Sequence, residues 1–233
     1  MTSASTTTIT AICWSCGQPV ASGHFCAACG KIQPLSSDTD YFAFFGLPQK
    51  LGLDSADLER RFHALSWKLH PDNFVRASEA ERELSLERSS QLNDAYRTLL
   101  DPTARVEYLL AHEGMRREGQ QKQQAPPELL EEVFELNESL DELRMARAAG
   151  GDAEERARLS KTLSAAAKKF QDSLAGVDAE LKKLFLAWDQ AVDAGADAAA
   201  RRTLMERMNA ALNRRSYIRN LVAGVHKELT EEC

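Results

Sequence analysis

Four cysteines near the start of the chain stand in two pairs whose spacing suits a metal ion. Two residues separate Cys13 from Cys16, two separate Cys26 from Cys29, and nine lie between the pairs. A CxxC pair forms a tight turn that directs two thiolates at one ion, and two such pairs complete a tetrahedron. A glycine follows each pair and eases the turn. The pattern predicts one structural zinc ion with no open coordination position.

Other interpretations of these thiols are weaker. A redox-active dithiol of the thioredoxin kind needs a surrounding βαβ pattern, and the sequence has none. His24 lies between the pairs, but with four thiolates available we expect it to be a solvated loop residue. Cys233 stands alone at the end of the chain and is given no role. Clustered cysteines in a reducing compartment indicate metal binding rather than disulfides.

A second group with chemical potential is the tripeptide His70-Pro71-Asp72, which lies between two helical patterns. The first helix should begin at Asp54 and end by His70, because a proline disfavours helix for the residue before it. One face of this helix is apolar, at Leu58, Phe62, Leu65 and Leu69, and the opposite face carries Arg60, Arg61 and Lys68. A second helix should cover residues 79–100. The tripeptide is therefore expected on a rigid, exposed turn beside a basic face.

The elements that carry these groups are mainly helical. We expect a disordered tail over 1–10, a zinc-knuckle cysteine module over 11–34, a helical domain over 38–112 and a linker over 113–127. Three long apolar stripes joined by short loops predict an antiparallel three-helix bundle over residues 128–233. The expected fold class is mainly α, with the cysteine module, a helical hairpin and the bundle following one another along the chain.

Composition excludes several classes of function. The 233 residues carry a net charge of −6, and 27% of them are charged. General nucleic-acid binding favours a basic surface, and no apolar run is long enough for a membrane span. The first ten residues, MTSASTTTIT, contain no basic residue, so we expect neither a secretory signal nor a transit peptide. A cytoplasmic location is expected, or a mitochondrial one if the precursor begins elsewhere.

The first helix of the bundle holds an apolar pair outside its core stripe. Leu130 and Phe134 lie four residues apart on a neighbouring face, which Glu138 and Asp141 continue. An apolar pair bordered by carboxylates is typical of a partner site. A broad core face is an equally good interpretation, since each helix of such a bundle has two neighbours.

The hairpin resembles a known family. His70-Pro71-Asp72 before a helix containing QLNDAYRTLLDP, with an opening DYF and FGL, resembles the J-domain. The later runs TARVEYLL and LLEEVFELNESLDEL, with CWSCG near the start, resemble the zinc-bearing members of the HscB family of iron–sulfur co-chaperones. Asn73 stands where many J-domains carry lysine, and Glu131 where an apolar residue is usual.

This resemblance implies a non-enzymatic adaptor. Such a protein binds an iron–sulfur scaffold of the IscU type, delivers it to a DnaK/HscA-type chaperone and stimulates the chaperone's ATPase, promoting cluster assembly or transfer. The stimulating surface would comprise His70, Pro71, Asp72, Arg60, Arg61 and Lys68. The scaffold-binding positions map onto Leu130, Phe134, Glu135, Glu138, Glu142 and Tyr217. The alternatives are a general J-domain holdase for unfolded clients and a zinc-ribbon nucleic-acid binder. We see no phosphate loop, no paired catalytic carboxylates and no nucleophile with a base.

Overall fold

The computed structural model describes residues 11–20, 23–36, 39–116, 127–150 and 152–230. The expected tail, residues 117–126 of the expected linker and Cys233 lie outside the described residues. The chain divides into two compact units, Met1–His112 and Glu113–Cys233. Among the residues described, no helix is both long and apolar enough to cross a bilayer.

The cysteine module is a small irregular element with a minimal ladder. Strand β1, Ala11–Ile12, pairs antiparallel with β2, Pro19–Val20, so that Ala11 lies opposite Val20. A single bridge joins Phe25 to Ile32. The buried side chains of Cys13, Val20 and Cys26 pack together. So few apolar residues form a very small core, which is why a domain of this size usually needs a metal or disulfides.

The described residues of the first unit also form four helices: α1 (Tyr41–Phe44), α2 (Ser55–Leu69), α3 (Glu79–Leu100) and α4 (Pro102–His112). The predicted limits of the two hairpin helices are confirmed. The Asp54 carboxylate accepts a hydrogen bond from the Ala56 amide and starts α2. Ser78 and Glu81 form a reciprocal capping box at the start of α3.

The hairpin core forms where α2 and α3 face each other. The buried side chains come from both helices and from α4; they include Leu58, Leu69, Leu92, Leu99 and Leu109. Phe62 stacks on Tyr96 with ring centroids 4.2 Å apart. Each of the two helices therefore buries a single apolar stripe against the other, as its periodicity predicts.

Arg105 is a buried charge that links α4 to the end of α3. Its guanidinium donates to the Leu99 carbonyl at 2.7 Å, to the Leu100 carbonyl at 3.4 Å and to the Leu51 carbonyl. We expect Arg105→Leu to lower the unfolding free energy of this unit by about 3 kcal/mol, because three carbonyls lose a charged donor. Urea unfolding followed by hydrogen exchange in α3 and α4 measures the loss. A loss below about 1 kcal/mol would show that water replaces the guanidinium at little cost.

The second unit contains α5 (Leu130–Ala148), α6 (Ala153–Asp193) and α7 (Ala198–Thr230), preceded by a 3₁₀ turn at Pro127–Leu129. Four-residue connections make sequential helices antiparallel neighbours. The predicted stripes face inward, with buried side chains at Val133, Leu136 and Leu143 of α5, at Leu163, Phe170, Leu181 and Trp188 of α6, and at Met208, Ile218 and Val225 of α7.

Ion pairs link α5 and the turn before it to α7. Glu128 lies 3.4 Å from Arg214, while Arg144 contacts Glu228 further along both segments. The Arg144 guanidinium lowers the pKa of the Glu228 carboxyl. Because α5 has 19 residues and α7 has 33, α5 accompanies only the second half of α7. The three-helix part of the bundle, where all three helices run side by side, is therefore limited to the second half of α7.

Candidate functional site

The four cysteine sulfurs converge on one point. The Sγ atoms of Cys13 and Cys29 are 3.6 Å apart, those of Cys16 and Cys26 are 3.7 Å apart, and all four lie within 4.8 Å of one another. Tetrahedral coordination with metal–sulfur bonds of about 2.3 Å places sulfurs about 3.8 Å apart. The donor set and its geometry therefore fit a single tetrahedral ion.

The two CxxC turns repeat the same backbone hydrogen bonds. The Gly17 amide donates to the Cys13 carbonyl at 3.0 Å, and the Gly30 amide donates to the Cys26 carbonyl at 2.8 Å. Both glycines have φ of +72°, a conformation that other residues rarely adopt. The indole Nε1–H of Trp14 donates to the Ile32 carbonyl at 2.7 Å and ties the first turn to the segment after the second.

The thiols perturb one another's ionisation. Burial opposes ionisation of Cys13, but amide donors from Cys16 and Ser15 lower the pKa of its thiol to about 6. The Gln18 amide favours ionisation of Cys16, but burial and the three neighbouring thiols raise its pKa to about 12. Ionisation of Cys13 is thus favoured and ionisation of Cys16 is opposed, because like charges at this separation repel. Four thiolates at these distances require a cation among them.

The cysteine module is fixed to the helices of the first unit. The His24 ring nitrogen Nε2 lies 2.9 Å from the Phe44 carbonyl oxygen of α1, and the two rings meet edge to face at 4.5 Å. Burial first, and then the charge of Arg88, lower the pKa of His24. Lys31 donates to the buried Glu81 carboxylate at 2.9 Å. The expectation that His24 is a solvated loop residue is therefore wrong, because its ring is half-buried against α1.

The tripeptide turn is exposed. His70 is the first residue after α2, and Pro71–Phe74 form a 3₁₀ turn. The Asp72 amide donates to His70 Nδ1 at 3.3 Å, and the Asp72 carboxylate lies 3.5 Å from the same nitrogen. The side chains of His70 and Asp72 are 56% and 85% exposed, so both are accessible to a partner.

Side chains from the neighbouring segments fix this turn. The hydroxyls of Ser85 and Ser89 on α3 both donate to the Leu69 carbonyl, at 2.7 and 3.1 Å. The Trp67 carbonyl would bond the amide of residue 71 in a continuing helix, but proline has no N–H. The Asn73 side-chain amide donates to that carbonyl at 2.6 Å instead. Asn73 thus supplies a donor where the resemblance leads one to expect a lysine.

The three predicted basic residues of α2 lie in different surroundings. Arg61 donates to the Phe45 carbonyl at 3.1 Å and to Asp57 at 2.8 Å, which ties α2 to the end of α1. Arg60 pairs with the same Asp57 carboxylate at 3.0 Å, and these guanidinium groups lower the pKa of Asp57. Lys68 is exposed and makes no ion pair with any residue that the structure describes. The three residues therefore do not form one free basic face.

The apolar pair of α5 lies on the surface. Leu130 is 55% exposed and Phe134 is 70% exposed, whereas Val133 and Leu136 are buried. Of the two interpretations of this pair, the core face is therefore wrong. Glu138 is exposed on the same face, four residues after Phe134. Met145 is also exposed and extends the surface stripe of Leu130 and Phe134 toward the end of α5. Its helical spacing from Phe134 could have indicated this position in the sequence.

The remaining candidate residues surround this stripe. Glu142 is exposed, while Glu135 lines a groove of about 610 Å³ between α5 and α6. Tyr217 is partly exposed on α7, three residues after Arg214. Since Arg214 pairs with Glu128, the parallel register puts Tyr217 level with the first turn of α5. Tyr217 therefore lies level with Leu130 along the bundle axis. Glu135 lies at the edge of the face that borders α6.

Comparison with known proteins identifies the family. No family model matches the chain. A co-chaperone protein HscB homolog of Vibrio vulnificus strain YJ016 is 37% identical over 154 residues, which are 66% of this chain and 85% of that protein. A Vibrio cholerae homolog is 43% identical over 102 residues, 44% of this chain and 60% of that one. The crystal structure of human co-chaperone protein HscB superimposes with a TM-score of 0.60 at 26% identity, over 94% of this chain and 98% of that chain. This chain belongs to the HscB family of co-chaperones.

Proposed function

We propose that this co-chaperone binds an IscU-type iron–sulfur scaffold, delivers it to a DnaK/HscA-type chaperone and stimulates the chaperone's ATPase. The observation that carries the proposal is the exposure of two different surfaces on two different units. One is the His-Pro-Asp turn of Met1–His112, and the other is the stripe of Leu130 and Phe134 in Glu113–Cys233. An adaptor needs two such surfaces because it must hold both partners at once.

The ATPase-stimulating surface is proposed to centre on His70, Pro71 and Asp72. The turn is exposed, and it is also held in place. The Leu69 carbonyl before it accepts hydrogen bonds from Ser85 and Ser89, and the Trp67 carbonyl accepts one from Asn73. Lys68 lies beside the turn as a basic group available to an acidic partner, and Arg60 adds charge further along α2. Arg61 contributes indirectly, because its guanidinium holds α1 against α2.

The scaffold-binding surface is proposed to use Leu130 and Phe134 as apolar anchors. Carboxylates frame them, at Glu135, Glu138 and Glu142, and Tyr217 adds an aromatic ring from α7. Apolar anchors inside a polar rim are typical of protein interfaces. The acidic rim favours a scaffold with basic groups around its own contact patch.

The metal of the cysteine module is proposed to be zinc. Four thiolates in a tetrahedron suit zinc, which then acts structurally because no coordination position is open. Cys13, Cys16, Cys26 and Cys29 would hold the ion. Unpaired cysteines persist in a reducing compartment, and we place the protein in the cytoplasm on that ground.

Reconstitution tests the proposal directly. The purified co-chaperone, an IscU-type scaffold and a DnaK/HscA-type chaperone are mixed, and ATP hydrolysis is measured with and without the scaffold. We expect the co-chaperone to stimulate hydrolysis alone and to stimulate it further with the scaffold. An excess of a denatured protein should not replace the scaffold. Equal stimulation by denatured clients would favour the general holdase instead.

Phe134 is expected to be the strongest single contact to the scaffold. Truncation of an aromatic anchor often costs about 2 kcal/mol or more, roughly a thirtyfold loss of affinity. Isothermal titration calorimetry of the scaffold with Phe134→Ala should show that loss, with ATPase stimulation in the absence of scaffold unchanged. Leu186, 63% exposed on α6, provides a control because Leu186→Ala removes a similarly exposed side chain of the same unit. Equal scaffold affinity for Phe134→Ala and wild type would contradict the assignment.

A further inference from the structure

Trp67 on α2 exposes a large apolar surface that the fold does not use. Its side chain is 79% exposed, the largest fraction among the big apolar side chains that the structure describes. The core stripe of α2 runs through Leu58 and Leu69 and leaves this indole on the opposite side. Tryptophan is enriched among the residues that carry binding energy at protein interfaces. An indole left this open is available for contact with a partner.

Trp67 and the His-Pro-Asp turn belong to one rigid element. Trp67 precedes His70 by three residues, which is nearly one helical turn. The side-chain amide of Asn73 donates to the carbonyl of Trp67 at 2.6 Å. Through this bond the residue after the tripeptide is attached to the backbone that carries the indole. A partner that docks on His70 therefore meets the backbone that carries the indole in a fixed position.

Charge around the indole selects the kind of partner. Residues 60–70 hold three arginine or lysine side chains and no carboxylate. Arg61 is committed to Phe45 and Asp57, whereas the adjacent Lys68 makes no ion pair with the described residues. Lys68 is thus an available positive charge at the edge of the helix face that carries the indole, since successive helical residues point in different directions. The indole fits a shallow apolar pocket rimmed by carboxylates.

We propose that Trp67 is the apolar anchor by which this co-chaperone holds the DnaK/HscA-type chaperone. The inference rests on the proposed function, since it names a contact of the same ATPase-stimulating surface. The indole supplies affinity, while His70 and Asp72 supply the signal for hydrolysis. Lys68 orients the approach through its charge, and Asn73 keeps the two parts together.

The test is the dependence of the chaperone's ATPase rate on co-chaperone concentration. For Trp67→Ala in the full chain we expect the half-saturating concentration to rise roughly thirtyfold, as for other aromatic anchors, with the same plateau. Trp67→Phe should recover part of the affinity because an aromatic ring remains. His70→Gln should instead lower the plateau of the ATPase rate. Leu100→Ala is the matched control, since Leu100 is an exposed apolar residue at the far end of α3.

Each outcome has one meaning. If Trp67→Ala behaves as wild type while His70→Gln is inactive, the anchor is wrong and the proposed function stands. If Trp67→Ala lowers the plateau without moving the half-saturating concentration, the residue acts on hydrolysis and the anchor is again wrong. If the wild-type protein does not stimulate the ATPase at all, both the proposed function and the anchor are wrong. An unchanged melting temperature for Trp67→Ala, with the weaker half-saturation restored in part by Trp67→Phe, supports the anchor.

Discussion

His70→Gln is expected to abolish stimulation of the partner ATPase while leaving the fold unchanged. The ring is more than half exposed, and it accepts a hydrogen bond from the Asp72 amide two residues away. Its removal therefore leaves no cavity and exposes no buried polar group. We expect the stimulated rate to fall at least tenfold, equivalent to about 1.4 kcal/mol of coupling. Steady-state ATPase measurements over a range of co-chaperone concentrations provide the value.

His63 supplies an internal control for this experiment. Its imidazole is also exposed, and it lies on α2 seven residues before His70, 3.8 Å from Glu59. His63→Gln removes the same chemical group from α2, the helix before the turn, without touching the turn itself. We expect it to stimulate as wild type does, and the melting temperature of both variants to stay within about 1 °C of wild type, as is usual for exposed substitutions. Full stimulation by His70→Gln would refute the J-domain role of the turn.

Removal of the metal is expected to produce the largest change in stability. Structural zinc contributes about 10–16 kcal/mol of apparent binding free energy in small modules, and the module buries few apolar groups of its own. Cys13→Ser should unfold residues 11–34. Because His24 and Lys31 connect that segment to α1 and α3, the melting temperature of the first unit should also fall, although its helices should remain formed at room temperature.

Two measurements distinguish metal binding by the cysteine module from the packing of that module against the helices of the first unit. Elemental analysis of protein purified without chelator should find one zinc per chain, and cobalt substitution should give the visible bands of tetrahedral thiolate coordination. Lys31→Ala should keep the metal but loosen the start of α3, because Glu81 loses its cationic partner. Hydrogen exchange at residues 79–85 reports that loosening. Wild-type protein that contains no metal would contradict the metal site. A Lys31→Ala variant that loses the metal would contradict the assignment of Lys31 to the contact with α3 alone.

Most of the fold follows from local signals in the sequence. The limits of α2 were predictable because Asp54 and Pro71 flank it, and α3 was predictable from its own periodic apolar residues. The three stripes of the second unit were predictable for the same reason. The length of the three-helix part was not, since it depends on where Glu128 and Arg144 meet α7. Such pairs join residues more than eighty positions apart, and no local pattern indicates them.

The candidate sites divide in the same way. The four cysteines and the His-Pro-Asp turn are contiguous motifs and could be found directly. The supports of the turn could not, because Ser85 and Ser89 act across the hairpin and any surface serine looks alike in sequence. His24 was misjudged for a related reason, since its carbonyl partner lies on α1, twenty residues away. The exposure of Trp67 was indicated only by its absence from the stripe of Leu58 and Leu69.

The hydrogen bond between the Asp72 amide and His70 Nδ1 has a consequence for recognition. Because Nδ1 accepts a hydrogen bond there, the neutral ring carries its own hydrogen on Nε2, the other ring nitrogen. The turn therefore offers a donor from the imidazole and acceptors from the Asp72 carboxylate. A complementary surface must present the opposite polarity in the same order, an acceptor for His70 and a donor for Asp72. Exchanging the two side chains would keep the composition of the turn and reverse its polarity.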